Sequence, residues 1–125
     1  MAIILVVDDE VGALTLIGIM LERGGFEVLK ARDAYAALEL LENHKPDLII
    51  LDVMMPGMNG IELCRRIRDM PATAGIPIVM LSARGDPASV DAGFEAGAND
   101  YLQKPILHHD LLVKVRNMLD WQGAS

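Results

Sequence analysis

"MAIILVVDDE" (residues 1–10) sets six apolar residues, Ala2 to Val7, directly against Asp8, Asp9 and Glu10. A run this hydrophobic reads as a buried strand over Ile3–Val7, yet it ends in three adjacent acids. At about 4 Å and an effective dielectric of ~20, one like-charge pair costs roughly 4 kcal/mol. Either the acids fan out into water, or a positive group sits among them.

The same layout, a short β-branched run followed by a longer helical stretch, recurs down the chain. Strands are predicted at Ile3–Val7, Glu27–Ala31, Leu48–Leu51, Ile78–Leu81 and Tyr101–Gln103. Helices are predicted at Val11–Arg23, Ala34–Asn43, Ile61–Asp69, Ala88–Ala96 and His109–Trp121. Gly24-Gly25 and Lys45-Pro46 stop the first two helices, and Pro56-Gly57 with Asn59-Gly60 makes the loop before the third. Asp86-Pro87 reads as an N-cap followed by a first-turn proline. Five βα units with nearly continuous apolar strands imply a doubly wound α/β fold. Its parallel sheet has helices on both faces, and the expected strand order is 2-1-3-4-5. One domain is expected over residues 1–121, with 122–125 as a short tail; no output domain fits after Leu119, so effects come through partners or the chain is a fragment of something longer.

Composition narrows the function. At 125 residues with 52% hydrophobic content, the chain is long and apolar enough for one proper core. Eighteen acidic against 11 basic residues give a formal charge of −7, which argues against nonspecific binding to nucleic acid or an anionic membrane. Cys64 stands alone, so no internal disulfide forms, and no apolar run is long enough to span a bilayer. A soluble, cytoplasmic protein is expected.

In this order the C-terminal ends of the strands share one rim, where α/β proteins bind their ligands. Asp8, Asp9 and Glu10 follow the first strand, Asp52 the third, Ser82 the fourth and Lys104 the fifth. Taken singly, Asp8 or Asp52 reads as a helix N-cap, Ser82 as a turn residue and Lys104 as a solvated loop lysine. Their coincidence on one edge is what those readings leave unexplained. Clustered acids at a strand end suit a hard divalent cation such as Mg²⁺, which takes one or two carboxylates and phosphoryl oxygens. With such an ion bound, one carboxylate can attack a phosphoryl group, while the lysine and the ion offset the charge on its oxygens.

The segments "VVDDE" (6–10), "LIILDVMMPGMNGIELCRRIR" (48–68), "PIVMLSA" (77–83) and "AGANDYLQKPI" (96–106) resemble those of a response-regulator receiver domain, in the right order and spacing over nearly the whole chain. The resemblance implies that Asp52 accepts a phosphoryl group from a phosphohistidine on a sensor histidine kinase or a histidine phosphotransfer protein. It implies that Asp8 and Asp9 organise Mg²⁺, with Asp9 a direct ligand, and that Asp52 and the Met54 carbonyl complete the protein ligands. Ser82 then matches the hydroxyl that moves toward the phosphoryl group, Lys104 the lysine that pairs with it, and Tyr101 an aromatic switch. The Lys104-Pro105 bond is expected to be cis. The implied protein is a signalling phosphoacceptor rather than an enzyme. Its output surface is formed by the fourth helix, fifth strand and fifth helix, and meets a downstream protein or a second copy.

Other residues carry weaker signals. Ala13, Leu16, Ile17, Met20 and Leu21 form the expected core stripe of the first helix, with Leu14 and Ile19 widening it at both edges. In the family, this helix meets the phosphodonor's helical bundle. Gly93 allows either a mobile fourth helix or close packing on the sheet. His108 and His109 read as solvated first-turn residues, His44 as a loop residue, Cys64 as core, and the eight methionines as core gap-fillers. Trp121 caps the fold or meets a partner. Val11, Gly12 and Leu107 depart mildly from the family pattern, and Met54 and Arg84 line the pocket mouth. A haloacid-dehalogenase-type phosphohydrolase would need an Asp-x-Asp nucleophile motif after the first strand and a cap insertion. An FMN binder would need a Ser/Thr/Gly-rich phosphate loop where this chain has "DDE". A phosphorylation-independent adaptor would not need the complete pocket.

Overall fold

The computed structural model describes the backbone of residues 1–123 and the side chains through Asp120. Ten elements alternate along the chain: β1 (Ile3–Val7), α1 (Val11–Arg23), β2 (Glu27–Ala31), α2 (Ala34–Asn43), β3 (Leu48–Asp52), α3 (Gly60–Asp69), β4 (Ile78–Ser82), α4 (Pro87–Glu95), β5 (Asp100–Gln103) and α5 (His108–Gly123). The strands form one parallel sheet in the order β2-β1-β3-β4-β5. The expected doubly wound α/β architecture is therefore the observed one.

Alternation along each central strand divides the core into two layers. Leu5, Val7, Ile49, Leu51, Ile78 and Met80 face α2 and α3, which contribute Ala34, Ala37, Leu63, Cys64 and Ile67. Ile4, Val6, Leu48, Ile50, Val79 and Leu81 face α1 and α5, which contribute Leu14, Ile17, Leu21, Leu111 and Val115. Every residue of β3 and β4 is buried. At roughly 1.5–3 kcal/mol for each fully buried large apolar side chain, these two layers dominate the favourable side of folding.

Helix starts follow capping chemistry. Asp33, Asn59 and Asp86 each accept a backbone N–H three residues on, and Pro87 occupies the first turn of α4. The double glycine after α1 divides its labour. Gly24 is still right-handed, while Gly25 takes a φ of 93° that turns the chain toward β2.

Several sequence expectations need correction. Asp52 and Ser82 are the last residues of β3 and β4 rather than the first residues beyond them, because each still pairs across the ladder. On α1, Ile17 and Leu21 are buried as expected, but Leu14 is buried and Leu16 is half exposed, the reverse of their expected places. The helix packs over β2 and β1 with α5 beside it, which turns Leu14, Ile17, Gly18 and Leu21 inward. Of the methionines, Met55, Met58 and Met80 fill the core, but Met1 and Met54 lie in solvent. Gly93 is buried, and a Cβ there would lie 3.3 Å from the Tyr101 ring, so close packing accounts for it. Cys64 is core, and His44, His108 and His109 are exposed. The Trp121 side chain and the end of the tail, residues 124–125, lie outside the described residues. Among the described residues, no helix is long and apolar enough to cross a membrane.

Candidate functional site

Strand pairing alone brings the site together. β1 and β3 are neighbours with Val7 opposite Leu51, so the next residues, Asp8 and Asp52, end side by side. β4 adds Ser82, and the chain leaving β5 adds Lys104, whose N–H donates to the Ser82 carbonyl at 2.7 Å. Gly60, at the start of α3, lies against the Asp52 backbone so closely that a Cβ would collide with the Asp52 carbonyl oxygen. This contact needs glycine. It presses the β3–α3 loop onto the site, and the Gly60 N–H donates to the Val53 carbonyl at 3.0 Å.

Carboxylate oxygens of Asp8, Asp9 and Asp52 all lie within 4.8 Å of one another. Asp8 and Asp52 are buried, and Asp9 is on the more open side. The Lys104 ammonium donates to Asp8 Oδ2 at 3.0 Å and stands 3.5 Å from Asp52 Oδ1. Here is the positive group that the opening acids required. It is not enough, because three carboxylates against one ammonium leave a formal excess of two negative charges. Asp8 and Asp52 do not act as N-caps of the helices that follow. Asp8 Oδ1 accepts the Glu10 N–H at 3.0 Å, and Asp52 Oδ1 accepts the Met54 N–H at 3.4 Å. Glu10 is exposed and stands apart from the cluster.

Burial and the neighbouring Asp8 charge push the Asp52 carboxyl up to about 6, against the opposing pull of Lys104 and the Met54 amide. Desolvation works against the Lys104 ammonium, but its hydrogen bond to Asp8 and the Asp52 charge outweigh that and hold its pKa above the ordinary value. The donor set therefore fits a small divalent cation: oxygen ligands only, an uncompensated charge of matching size, and one ligand open to water.

Ser82 Oγ accepts the Arg84 N–H at 3.0 Å, which leaves its own O–H to donate elsewhere. The Tyr101 hydroxyl donates to the Arg84 carbonyl at 2.7 Å. Arg84 thus joins the site hydroxyl to the ring on β5 through its main chain. Sequence reasoning placed Arg84 at the pocket mouth and missed this link, since backbone groups leave no trace in residue identity. The Lys104-Pro105 peptide is cis, as expected.

This is a doubly wound domain that gathers acids, a hydroxyl and a lysine at the β1/β3 switch point, a donor set that can take a cation. The chain belongs to the response regulator receiver domain family, whose model matches residues 4–116. It is 41% identical over 122 residues to the phosphate regulon transcriptional regulatory protein PhoB of Pseudomonas aeruginosa, covering 98% of this chain and 53% of that protein. It is 43% identical over 116 residues to the DNA-binding response regulator MtrA of Mycobacterium tuberculosis, covering 93% of this chain and 50% of that protein. The chain thus spans about half the length of these curated relatives. Among solved structures, a response regulator from Chloroflexus aurantiacus superposes with a TM-score of 0.91 at 41% identity, covering 95% and 98% of the two chains. The chemotaxis protein CheY4 of Vibrio cholerae superposes with a TM-score of 0.92 at 33% identity, covering 95% and 99%.

Proposed function

We propose that Asp52 is a phosphoacceptor, loaded from the phosphohistidine of a sensor histidine kinase or a histidine phosphotransfer protein. One observation carries this reading: a buried carboxylate, close to two further acids, faces a lysine 3.5 Å away. In the transfer, an Asp52 carboxylate oxygen attacks phosphorus, the P–N bond to the donor imidazole breaks, and an acyl phosphate forms. With its pKa near 6, Asp52 is mainly ionised at neutral pH and so in the nucleophilic form. Lys104 pairs with a phosphoryl oxygen in place of the carboxylate oxygen it now faces, and the Ser82 hydroxyl donates to another.

Asp8, Asp9, Asp52 and the Met54 carbonyl would hold Mg²⁺, with Asp9 a direct ligand. The ion would offset the negative charge of the transferring group. The chain is then a signalling protein that promotes its own phosphorylation and slow dephosphorylation, and not an enzyme acting on free substrate. Its −7 charge argues against direct contact of this domain with nucleic acid or an anionic membrane.

Docking of the phosphodonor is assigned to α1. Of the two residues expected to form the docking patch, Ile19 is exposed but Leu14 is buried; exposed Leu16 instead lines an apolar groove of about 540 Å³ that runs from Gly12 and Ala13 to Pro105 and Ile106, beside Lys104. The output surface is assigned to α4, β5 and α5, where Phe94 and Val113 are exposed, and its partner is a downstream protein or a second copy. Tyr101 is the switch residue between the two, through its bond to Arg84. Intact-mass measurement after incubation with acetyl phosphate and Mg²⁺ tests the assignment. One added phosphoryl group, absent in Asp52→Asn, is the expected result. No gain, or an equal gain in the variant, overturns it.

A further inference from the structure

Helix α4 is held very differently at its two ends. Its N-terminal end follows an exposed loop, Ala83–Asp86, and of the helix itself only Gly93 is buried. The attachments there are the Arg84 main-chain bonds to Ser82 and Tyr101 and the local cap of Asp86 on Ser89. The Tyr101–Arg84 bond and the Asp86 cap are exposed and can exchange with water at small cost, while the Arg84 bond to the buried Ser82 hydroxyl is released when Ser82 moves.

The C-terminal end is strapped to the opposite edge of the sheet by Arg68, which reaches over from the last turn of α3. Arg68 Nε donates to the Gly97 carbonyl at 2.9 Å, and Nη2 donates to Asn99 Oδ1 at 2.8 Å. Nη1 donates to the Ala74 and Ile76 carbonyls, at 3.0 and 2.6 Å. Asn99 Oδ1 also accepts the Ile78 N–H at 2.8 Å, and the Asn99 N–H donates to the Ile78 carbonyl at 2.8 Å. One planar guanidinium therefore ties α3, the turn before β4 and the turn after α4 into a single unit. Gly97, at φ 112°, is what lets the guanidinium in, since a Cβ there would lie 2.7 Å from Arg68 Cγ. Cys64 adds a thiol contact to the Ala96 carbonyl at 3.4 Å.

We propose that Arg68 is a positioning residue that makes the C-terminal end of α4 a fixed pivot, so that changes at Ser82 swing only the N-terminal end of the helix. The strap gives the switch a direction: motion at the site is converted into tilt of α4 instead of being lost as displacement of the whole α4–β5 segment. This rests on the phosphoacceptor reading of Asp52.

Hydrogen exchange on the full chain, with and without beryllium fluoride and Mg²⁺ as the phosphoryl probe, tests it. The Arg84, Ser89 and Val90 amides report the free end, and the Ala98 and Asn99 amides the strapped end. In the unsubstituted protein the probe is expected to change exchange at the free end by ~5-fold or more and at the strapped end by less than about twofold. In Arg68→Ala the strapped end is expected to exchange ~10-fold faster and to become responsive to the probe. Asn99→Ala tests the same strap where Arg68→Ala does not fold, and Asn99→Asp, which keeps the acceptor oxygen, is expected to preserve the fixed end. Equal responses at both ends of the unsubstituted protein overturn the pivot alone, as does a strapped end that stays unresponsive in Arg68→Ala. No response at Arg84 or Ser89 overturns the phosphoacceptor reading beneath it.

Discussion

Replacing Asp52 with asparagine removes a charge that the folded protein holds at a cost, and the size of that cost follows from the site. Burial and the Asp8 charge raise the Asp52 pKa from 3.8 to about 6. At 1.36 kcal/mol per pH unit this sets a ceiling of about 3 kcal/mol, and water reaching the pocket mouth reduces it to about 1–2 kcal/mol. The sign is fixed by linkage. Because the folded state binds the proton more tightly than the unfolded chain, ionising Asp52 costs nothing below about pH 4 and progressively more as pH rises through 6. Asparagine never ionises, and Lys104 keeps its 3.0 Å bond to Asp8 in the variant. Urea unfolding in EDTA should therefore find Asp52→Asn level with the unsubstituted protein at pH 4 and more stable by about 1–2 kcal/mol at pH 7.5. Adding Mg²⁺ should close that gap, since an ion that binds only the folded state stabilises it by about 1.4 kcal/mol at ten times its dissociation constant. A stability difference that does not vary with pH, or a variant less stable at pH 7.5 in EDTA, would show that the carboxylate is not strained by its neighbours.

Further outcomes follow from individual contacts. Lys104→Met leaves Asp8 and Asp52 buried without their cation and should destabilise by about 2–4 kcal/mol in EDTA, read from urea midpoints. Gly60→Ala forces a methyl into the Asp52 carbonyl and should cost about 2–3 kcal/mol while also slowing phosphorylation by acetyl phosphate, because the backbone under Asp52 must move. Asp33→Ala removes the cap on the Ala36 N–H, 2.7 Å away, and should cost about 1 kcal/mol with no change in phosphorylation rate. Tyr101→Phe keeps the ring beside Gly93 but loses the bond to Arg84; exchange at the Arg84 amide should speed up while the phosphorylation rate holds.

What could be read from the sequence was whatever the periodicity of a parallel sheet controls. Alternating apolar runs located all five strands, and the order 2-1-3-4-5 followed from crossover geometry, so the meeting of Asp8, Asp52, Ser82 and Lys104 was legible before any coordinates. The face of α1 was not. A helical wheel ranks residues by spacing, but the buried arc depends on the angle at which the helix settles on β2, β1 and α5, and that angle exposed Leu16 and buried Leu14. Arg68 was invisible for a different reason. In "CRRIR" it looks like one of three surface arginines, and its partners are mainly carbonyls whose positions only the turns at 74–76 and 97–99 create.

The two edges of the sheet are solved by opposite physics, and the proposed switch depends on that difference. At the C-terminal edge the protein concentrates charge it does not fully neutralise, with carboxylates within 4.8 Å of one another and a single ammonium. Such a site is sensitive to one added ion or anion, because each unit of charge changes every pairwise term in a partly dry pocket. At the N-terminal edge the Arg68 guanidinium is surrounded by carbonyl and amide oxygens, and among the described residues no carboxylate lies within ion-pair distance of it. Its hydrogen bonds are satisfied whatever the charge state of the site, so that edge gives a phosphoryl group nothing to act on. Helix α4 spans the interval between a charge-sensitive edge and a charge-indifferent one. A change of charge at Asp52 can then move one end of the helix against the other without loosening the core beneath it.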